Sequence, residues 1–283
     1  MKLIRFGAFR QEKPGLLLKD GRMKDLSSLY NDWDHHFFAN NGLETLRNLS
    51  KSELDSFPDI PTPTRFGSCI ARPFKVIGVG LNYADHARES GVEPPKEPVL
   101  FMKATNTVVG PDDNVIIPKT SEATDWEVEL GVVIGREAGY LTSEQEAMAC
   151  VAGYCLSHDV SERDFQLKRS GQWTKGKSCD TFNPVGPWLV RRDELDISNL
   201  NLKLWVNGQL RQNGNTSDMI FKVPFLVQYI SQFMTLEPGD LITTGTPAGV
   251  GLGMKPPVYL KVGDVVELEA TGLGRQRQVC VNA

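Results

Sequence analysis

Asp125-Trp126-Glu127-Val128-Glu129-Leu130 sets three carboxylates at alternate positions in front of an apolar run that ends at Ile134. On an extended strand alternate side chains share a face, so Asp125, Glu127 and Glu129 point one way and Trp126, Val128 and Leu130 the other. Residues two apart on a strand lie about 6.5–7 Å apart at Cα, a span from which carboxylates converge on one ion. Like charges gathered beside apolar side chains are unfavourable unless a cation or solvent relieves them. An oxygen-only donor set suits Mg²⁺ or Mn²⁺ better than zinc. The same run also reads as a strand with a solvated acidic face. A further oxygen ligand is available at Asp159, just after the apolar segment that ends at Leu156. If that strand runs on, His158 points to the opposite face and reads as a packed structural histidine.

Gly78-Val79-Gly80-Leu81-Asn82-Tyr83 opens like a dinucleotide fingerprint, but Tyr83 stands where the third glycine belongs and no βαβ unit follows. Just beyond it, His86 and Glu89 are spaced i, i+3, which puts them on one face of a helix. There Glu89 can orient the imidazole and raise its basicity, the orienting half of a general-base pair; an exposed His–Glu helix pair has the same spacing. Arg163, Gln166, Lys175 and Lys177 follow Asp159 and could offer cationic or amide donors to an anionic substrate. The loop Thr243 to Gly251 lacks the Gly-Lys-Ser/Thr of a phosphate loop, but its N–H groups and hydroxyls could hold a carboxylate. His35-His36 reads as a surface pair and not as a metal site.

These residues need a scaffold, and the chain pattern is mostly β. Short apolar or alternating runs at 76–79, 115–117, 128–134, 202–206, 241–244, 258–262 and 265–269 predict strands. Asn207-Gly208 predicts a hairpin turn. Thr142-Ser143-Glu144-Gln145-Glu146 has capping-box chemistry and opens a helix through Cys150; Val223 to Met234 predicts another, with Pro224 in its first turn. In the first seventy residues, Leu3 to Phe9 and Gly15 to Leu18, followed by Asp20-Gly21, read as a small hairpin, and Leu43 to Leu54 has near-helical leucine spacing. Pro58, Pro61 and Pro63 then mark a boundary. The expected class is therefore α+β, mostly β, with a small N-terminal domain over 1–70 and a catalytic domain over 71–283.

Composition narrows the function classes. The 283 residues carry 31 Lys and Arg against 35 Asp and Glu, a net charge of −4, which argues against nucleic-acid binding. No apolar stretch approaches the roughly 18 residues of a membrane span, and the N-terminus does not read as a signal peptide. Five scattered cysteines with no C-x-x-C pair suggest neither a disulfide framework nor a thiolate zinc site. The expectation is a reduced, cytoplasmic protein.

Taken in order, these motifs resemble the fumarylacetoacetate hydrolase family over about residues 70–283. The resemblance rests on Gly80-Leu81-Asn82-Tyr83-Ala84-Asp85-His86, Glu127-Val128-Glu129-Leu130, Asp159 with Arg163-Asp164 and Gln166, Lys177-Ser178, and Thr244 to Gly251. It implies a mixed β-sandwich roll and metal ligands at Glu127, Glu129 and Asp159 for Mg²⁺ or Mn²⁺. It further implies a water-activating pair at His86 and Glu89, an oxyanion lysine at Lys177, and substrate contacts at Tyr83, Lys103, Arg163, Gln166 and Thr246. A mobile lid is implied around residues 86–98, and a homodimer is the usual assembly. The implied reaction is hydrolysis of the C3–C4 bond of a 2,4-diketo acid (an acylpyruvate) to pyruvate and a carboxylic acid. The N-terminal part, with Glu12-Lys13-Pro14-Gly15 and Asp20-Gly21-Arg22, resembles the 2,4-diketo-3-deoxy-sugar-acid hydrolases of L-rhamnose and L-fucose breakdown, whose relatives are often labelled ureidoglycolate lyase. Competing readings are that lyase, an oxaloacetate decarboxylase or a hydroxymuconate-type isomerase on the same metal site, and a non-catalytic binding protein that kept the fold.

Overall fold

Alternation along Val128–Ile134 decides how the molecule layers. In the computed structural model, which describes every residue except Pro63, Ser90 and Val92, all seven residues of this strand are buried. Val128, Leu130, Val132 and Ile134 enter one core with Leu202, Leu204, Val206, Val266 and Leu268. Val133, on the other face, packs with Leu3, Leu16, Trp33, Val76 and Leu241. A strand covered on both faces reads as a continuous apolar run, and here that run is broken on one face by Glu129.

The larger sheet orders nine strands among the described residues: Met23–Asp25, Lys13–Leu17, Lys2–Phe6, Leu189–Arg191, Val151–His158, Val128–Ile134, Leu241–Thr243, Val76–Gly80 and Val99–Lys103. Its neighbours are antiparallel except Leu241–Thr243 against Val76–Gly80, which run parallel. A second sheet of five strands runs Gln209–Asn215, Asn201–Val206, Val265–Ala270, Gly274–Asn282 and Val115–Ile117. The two sheets enclose the first core between them, so the fold is the mostly-β mixed sandwich expected. Asn207 and Gly208 close the predicted hairpin with φ of 50° and 76°, the left-handed values a two-residue primed turn requires.

The N-terminal strands join the large sheet: Lys2 pairs with Val190 and Leu3 with Leu189. Residues 1–70 therefore share a sheet and a core with residues 71–283. The expected hairpin is a three-stranded meander, in which Asp20-Gly21 lies in the second connection and the first runs through residues 7–12. The leucine-spaced stretch 43–54 is two helices, Gly42–Arg47 and Lys51–Ser56, because Ser50 caps the second and exchanges a reciprocal capping box with Glu53. Ser143 caps Glu144–Cys150, and Pro224 sits in the first turn of Val223–Ile230. Residues 258–262 are not a strand. They make isolated backbone bonds, Val258 to the Gly251 carbonyl and Leu260 to the Thr124 carbonyl, and Pro256 and Pro257 before them lack the N–H that a ladder needs. No helix of the described residues is long and apolar enough to cross a membrane.

Candidate metal and acid–base site

Pairing register builds the acidic cluster. Val151–His158 runs antiparallel to Val128–Ile134 with His158 opposite Val128, and the next residue, Asp159, donates its N–H to the Glu127 carbonyl at 3.0 Å. This sets Asp159 beside Glu127, and the pleat sets Glu129 on the same side. Carboxylate oxygens of Glu127, Glu129 and Asp159 lie within 4.8 Å of one another, and all three residues are buried. His158 points the other way, as expected, with Nδ1 3.0 Å from Gln278 Oε1 in the opposite sheet. Burial holds its imidazole neutral, down at about 3.

Three cations meet these acids. Arg163 Nε donates to Asp125 Oδ2 at 2.7 Å, its terminal nitrogen lies 2.7 Å from Glu127 Oε1, and its other arm donates to Gln166 Oε1 at 3.1 Å. Lys177 Nζ donates to Glu127 Oε2 at 2.8 Å and to Asp159 Oδ2 at 2.7 Å. Lys103 Nζ donates to the other oxygen of Asp159. Four buried carboxylates, Asp125 included, thus face three buried cations. Among the described residues, Glu129 is the one of the four without a cation. Its carboxylate accepts from the Gly245 N–H at 2.8 Å.

The titration behaviour follows this pairing. Burial works against the Glu127 carboxylate, but Lys177, Arg163 and His86 outweigh it and hold the group well below the usual glutamate range. Burial, then Asp159 and Glu127, push Glu129 well above it. Burial opposes the Lys177 ammonium, but Asp159 and Glu127 raise it overall. An unbalanced, all-oxygen trio is what a hard divalent cation compensates, so these residues fit Mg²⁺ or Mn²⁺.

His86 and Glu89 lie on the short helix Ala84–Glu89, with His86 Nδ1 3.5 Å from Glu89 Oε2. That is the outer limit of hydrogen-bond reach, and such pairs commonly tighten once substrate is bound. Burial works against the Glu89 carboxylate, yet His86 and the Gly249 N–H keep it below its ordinary value. Gly249 donates to both Glu89 oxygens at 3.0 Å. Its φ of 107° and the Arg211 carbonyl, 2.0 Å from where a Cβ would stand, admit only glycine. The loop's donors do hold carboxylates, but the protein's own: Gly245 holds Glu129, Gly249 holds Glu89, and Gly251 and Leu252 hold Asp125.

A cavity of about 260 Å³ opens on this cluster. Of the residues expected from sequence, His86, Glu127, Glu129, Arg163, Gln166, Lys177 and Thr246 line it. Glu89 stands behind His86, and Asp159 and Lys103 are buried behind Glu127 and Lys177. Tyr83 is not on the wall. Its ring belongs to the sandwich core, it is fully buried, and its hydroxyl has no hydrogen-bond partner among the described residues. The backbone of Asn82-Tyr83 is fixed instead, because the Asn82 side chain bonds Thr244 and Phe221 and Tyr83 bridges Met219. Lys175 turns away to the Arg169 carbonyl, which leaves Lys177 as the lysine of the site. Thr246 is held by the Val128 carbonyl and by Gln212, whose contact no motif foretells. Within the expected lid, Ser90 and Val92 lie outside the described residues; Glu97 accepts from the Tyr229 hydroxyl at 2.7 Å.

Residues 75–281 match the family profile described as fumarylacetoacetate (FAA) hydrolase, C-terminal. A Burkholderia multivorans protein named provisionally as a hydrolase is 53% identical over 99% of this chain and 98% of its own length. Among solved structures, a fumarylacetoacetate hydrolase from Exiguobacterium antarcticum covers all of both chains at 36% identity and a TM-score of 0.84. A maleylpyruvate hydrolase from Sphingobium sp. SYK-6, solved with manganese(II) and pyruvate, does so at 28% identity and 0.82. A 5-carboxymethyl-2-hydroxymuconate delta-isomerase from Mycobacterium smegmatis covers 100% of this chain and 99% of its own at 32% identity and 0.79.

Proposed function

The chain belongs to the fumarylacetoacetate hydrolase family, and on that premise we propose that it is a Mg²⁺- or Mn²⁺-dependent hydrolase of 2,4-diketo acids. It cleaves the C3–C4 bond to give pyruvate and a carboxylic acid. The observation that carries this reading is that one cavity joins a three-carboxylate cluster to an imidazole backed by a carboxylate. The manganese(II) and pyruvate held by the Sphingobium enzyme support both the ion class and the product. The subfamily resemblance in the N-terminal part points to a 2,4-diketo-3-deoxy sugar acid, with lactate as the second product if that acid is 6-deoxy.

Glu127, Glu129 and Asp159 would hold the ion, which would supply Lewis-acid stabilisation of negative charge at the 2-oxo acid end of the substrate. His86, kept in place by Glu89, takes a proton from water. The oxygen of that water adds to C4. Lys177, which spends two of its three protons on Glu127 and Asp159, offers the third to the oxyanion at C4; one such donor is worth about 3–4 kcal/mol in other enzymes. The C3–C4 electron pair then moves to C3, pyruvate leaves as its enolate, and protonation at C3 completes the reaction. Arg163, itself held by Asp125, anchors Glu127 directly, so the Glu127 carboxylate is set before any ligand arrives.

A second reading, an isomerase, is favoured by the Mycobacterium smegmatis neighbour. Isomerisation and decarboxylation need a stabilised enolate, whereas only hydrolysis needs an activated water, and the His86–Glu89 pair supplies one. The test is a panel of 2,4-diketo acids, oxaloacetate, ureidoglycolate and a hydroxymuconate-type acid, each incubated with protein and Mg²⁺ or Mn²⁺. The expected result is pyruvate and a second carboxylic acid in equal amounts from the 2,4-diketo acids. Consumption of the hydroxymuconate-type acid without pyruvate, or glyoxylate from ureidoglycolate, with the diketo acids left intact, contradicts the proposal.

A further inference from the structure

The two glycines of Gly78-Val79-Gly80 have a role that no nucleotide motif explains. They alternate on the strand Val76–Gly80 and so share a face. A Cβ on Gly78 would stand 2.1 Å from Phe101 Cζ, and one on Gly80 would stand 2.5 Å from Trp173 Cζ3. The missing side chains seat an aromatic pair whose ring centroids are 5.4 Å apart. Phe101 also lies under Lys177, whose Nζ is 4.9 Å from the ring centroid. Trp173 is tied to the same lysine through the chain, since the Lys177 N–H donates to the Trp173 carbonyl at 3.1 Å. The aromatic wall therefore starts at the ammonium group assigned to C4 and runs outward from it.

The same cavity is also lined by Leu81, Leu167 and Leu252. Among the described lining residues the cations are Arg163 and Lys177. Both are committed to acids at the inner end, Arg163 to Asp125 and Glu127, Lys177 to Glu127 and Asp159. A substrate whose C4 faces Lys177 thus directs its acyl arm along Phe101 and Trp173, where a second carboxylate meets no uncommitted cation among the described lining residues. Burying an unpaired carboxylate costs several kcal/mol, whereas each buried methylene is favourable.

We propose that Phe101 and Trp173 form a specificity wall that selects monocarboxylate 2,4-diketo acids with an uncharged, methyl-terminated acyl arm and rejects dicarboxylates. This inference rests on the hydrolase reading above and names the substrate class within it. A 6-deoxy sugar-acid arm, which ends in a methyl group, belongs to the selected class.

A matched pair tests it on the wild-type protein with Mg²⁺ or Mn²⁺ present: 2,4-dioxoheptanoate and 2,4-dioxoheptanedioate differ only in a terminal methyl against a carboxylate. Pyruvate release is expected to show kcat/KM at least about 100-fold higher for the monocarboxylate. From 2,4-dioxopentanoate to 2,4-dioxoheptanoate the value is expected to rise about fourfold per methylene. Trp173→Ala should flatten that rise, and Trp173→Lys should cut the monocarboxylate preference at least tenfold by placing a cation on the wall. Circular dichroism confirms folding of each variant, and Phe101→Leu serves if either Trp173 variant does not fold. Equal or better cleavage of the dicarboxylate, with pyruvate from both, overturns the wall and leaves the hydrolase reading standing. Absence of pyruvate from both overturns the hydrolase reading itself.

Discussion

Glu127→Gln is expected to abolish divalent-ion binding and turnover together and to weaken the metal-free protein, whereas Glu129→Gln abolishes the first two and spares the third. Both side chains belong to the three-carboxylate cluster. Loss of either removes one of three ligands and with it the several kcal/mol that a Lewis acid contributes, a fall of at least about 1,000-fold in kcat. The difference lies in the charge count. Glu127 balances both Arg163 and Lys177 in a buried setting, and breaking such a pairing costs about 3 kcal/mol, at the lower end because each cation keeps a second acid. Glu129 faces no cation among the described residues and sits well above the usual glutamate value, so its neutral amide mimics the form already favoured without metal.

The same contrast sets the pH dependence of the metal-free protein. The depressed Glu127 contributes stability that is present above the unfolded value near 4.5 and is lost as pH falls through its folded value. The raised Glu129 contributes stability that is present below 4.5 and is lost as pH rises through its folded value. Wild-type metal-free protein should therefore lose stability on the alkaline side of 4.5 where Glu129→Gln does not, and Mg²⁺ should remove that difference by stabilising only the wild type. Denaturant midpoints across pH, with and without Mg²⁺, read this directly. Identical Mg²⁺ titrations for wild type and Glu127→Gln contradict the ligand assignment.

His86→Ala is the second large effect. His86 lines the cavity but is not one of the three acids, so Mg²⁺ should bind within about twofold of wild type while pyruvate release falls about 1,000-fold, within the range for loss of a general base. Glu89→Gln leaves the imidazole in place and removes only the carboxylate behind it, and should cost about tenfold to 100-fold. A His86→Ala variant with wild-type turnover excludes the dyad, and one that also loses Mg²⁺ moves His86 from proton transfer to ion binding.

The parts of this site that were legible in the sequence are those fixed by local geometry. Strand alternation separates Glu127 and Glu129 from Trp126 and Val128, the strand end at His158 separates His158 from Asp159, and helical spacing joins His86 to Glu89. What escaped depends on long-range pairing. Nothing local says that Asp125 is committed to Arg163 and to the N–H groups of Gly251 and Leu252, or that Gln212 reaches Thr246. Tyr83 and Lys103 carry the right motif positions, yet the sheet packing buries both behind the wall. The N-terminal strands likewise join the large sheet through pairs far apart in the chain, Lys2 with Val190 and Leu3 with Leu189. The Gly-x-Gly pair does not read as a nucleotide motif in the sequence, but what its glycines do admit, the rings of Phe101 and Trp173, depends on residues far away in the chain.

Everything proposed for this protein depends on Glu127, Glu129 and Asp159 holding an ion that carbon–carbon bond hydrolysis requires. The most direct measurement is pyruvate release from 2,4-dioxoheptanoate by protein stripped with EDTA, before and after Mg²⁺ or Mn²⁺ is restored. No pyruvate is expected before and, after restoration, pyruvate and butanoate in equal amounts. Equal release by the stripped and the reloaded protein, or consumption of the acid without pyruvate once the ion is back, would contradict the assignment.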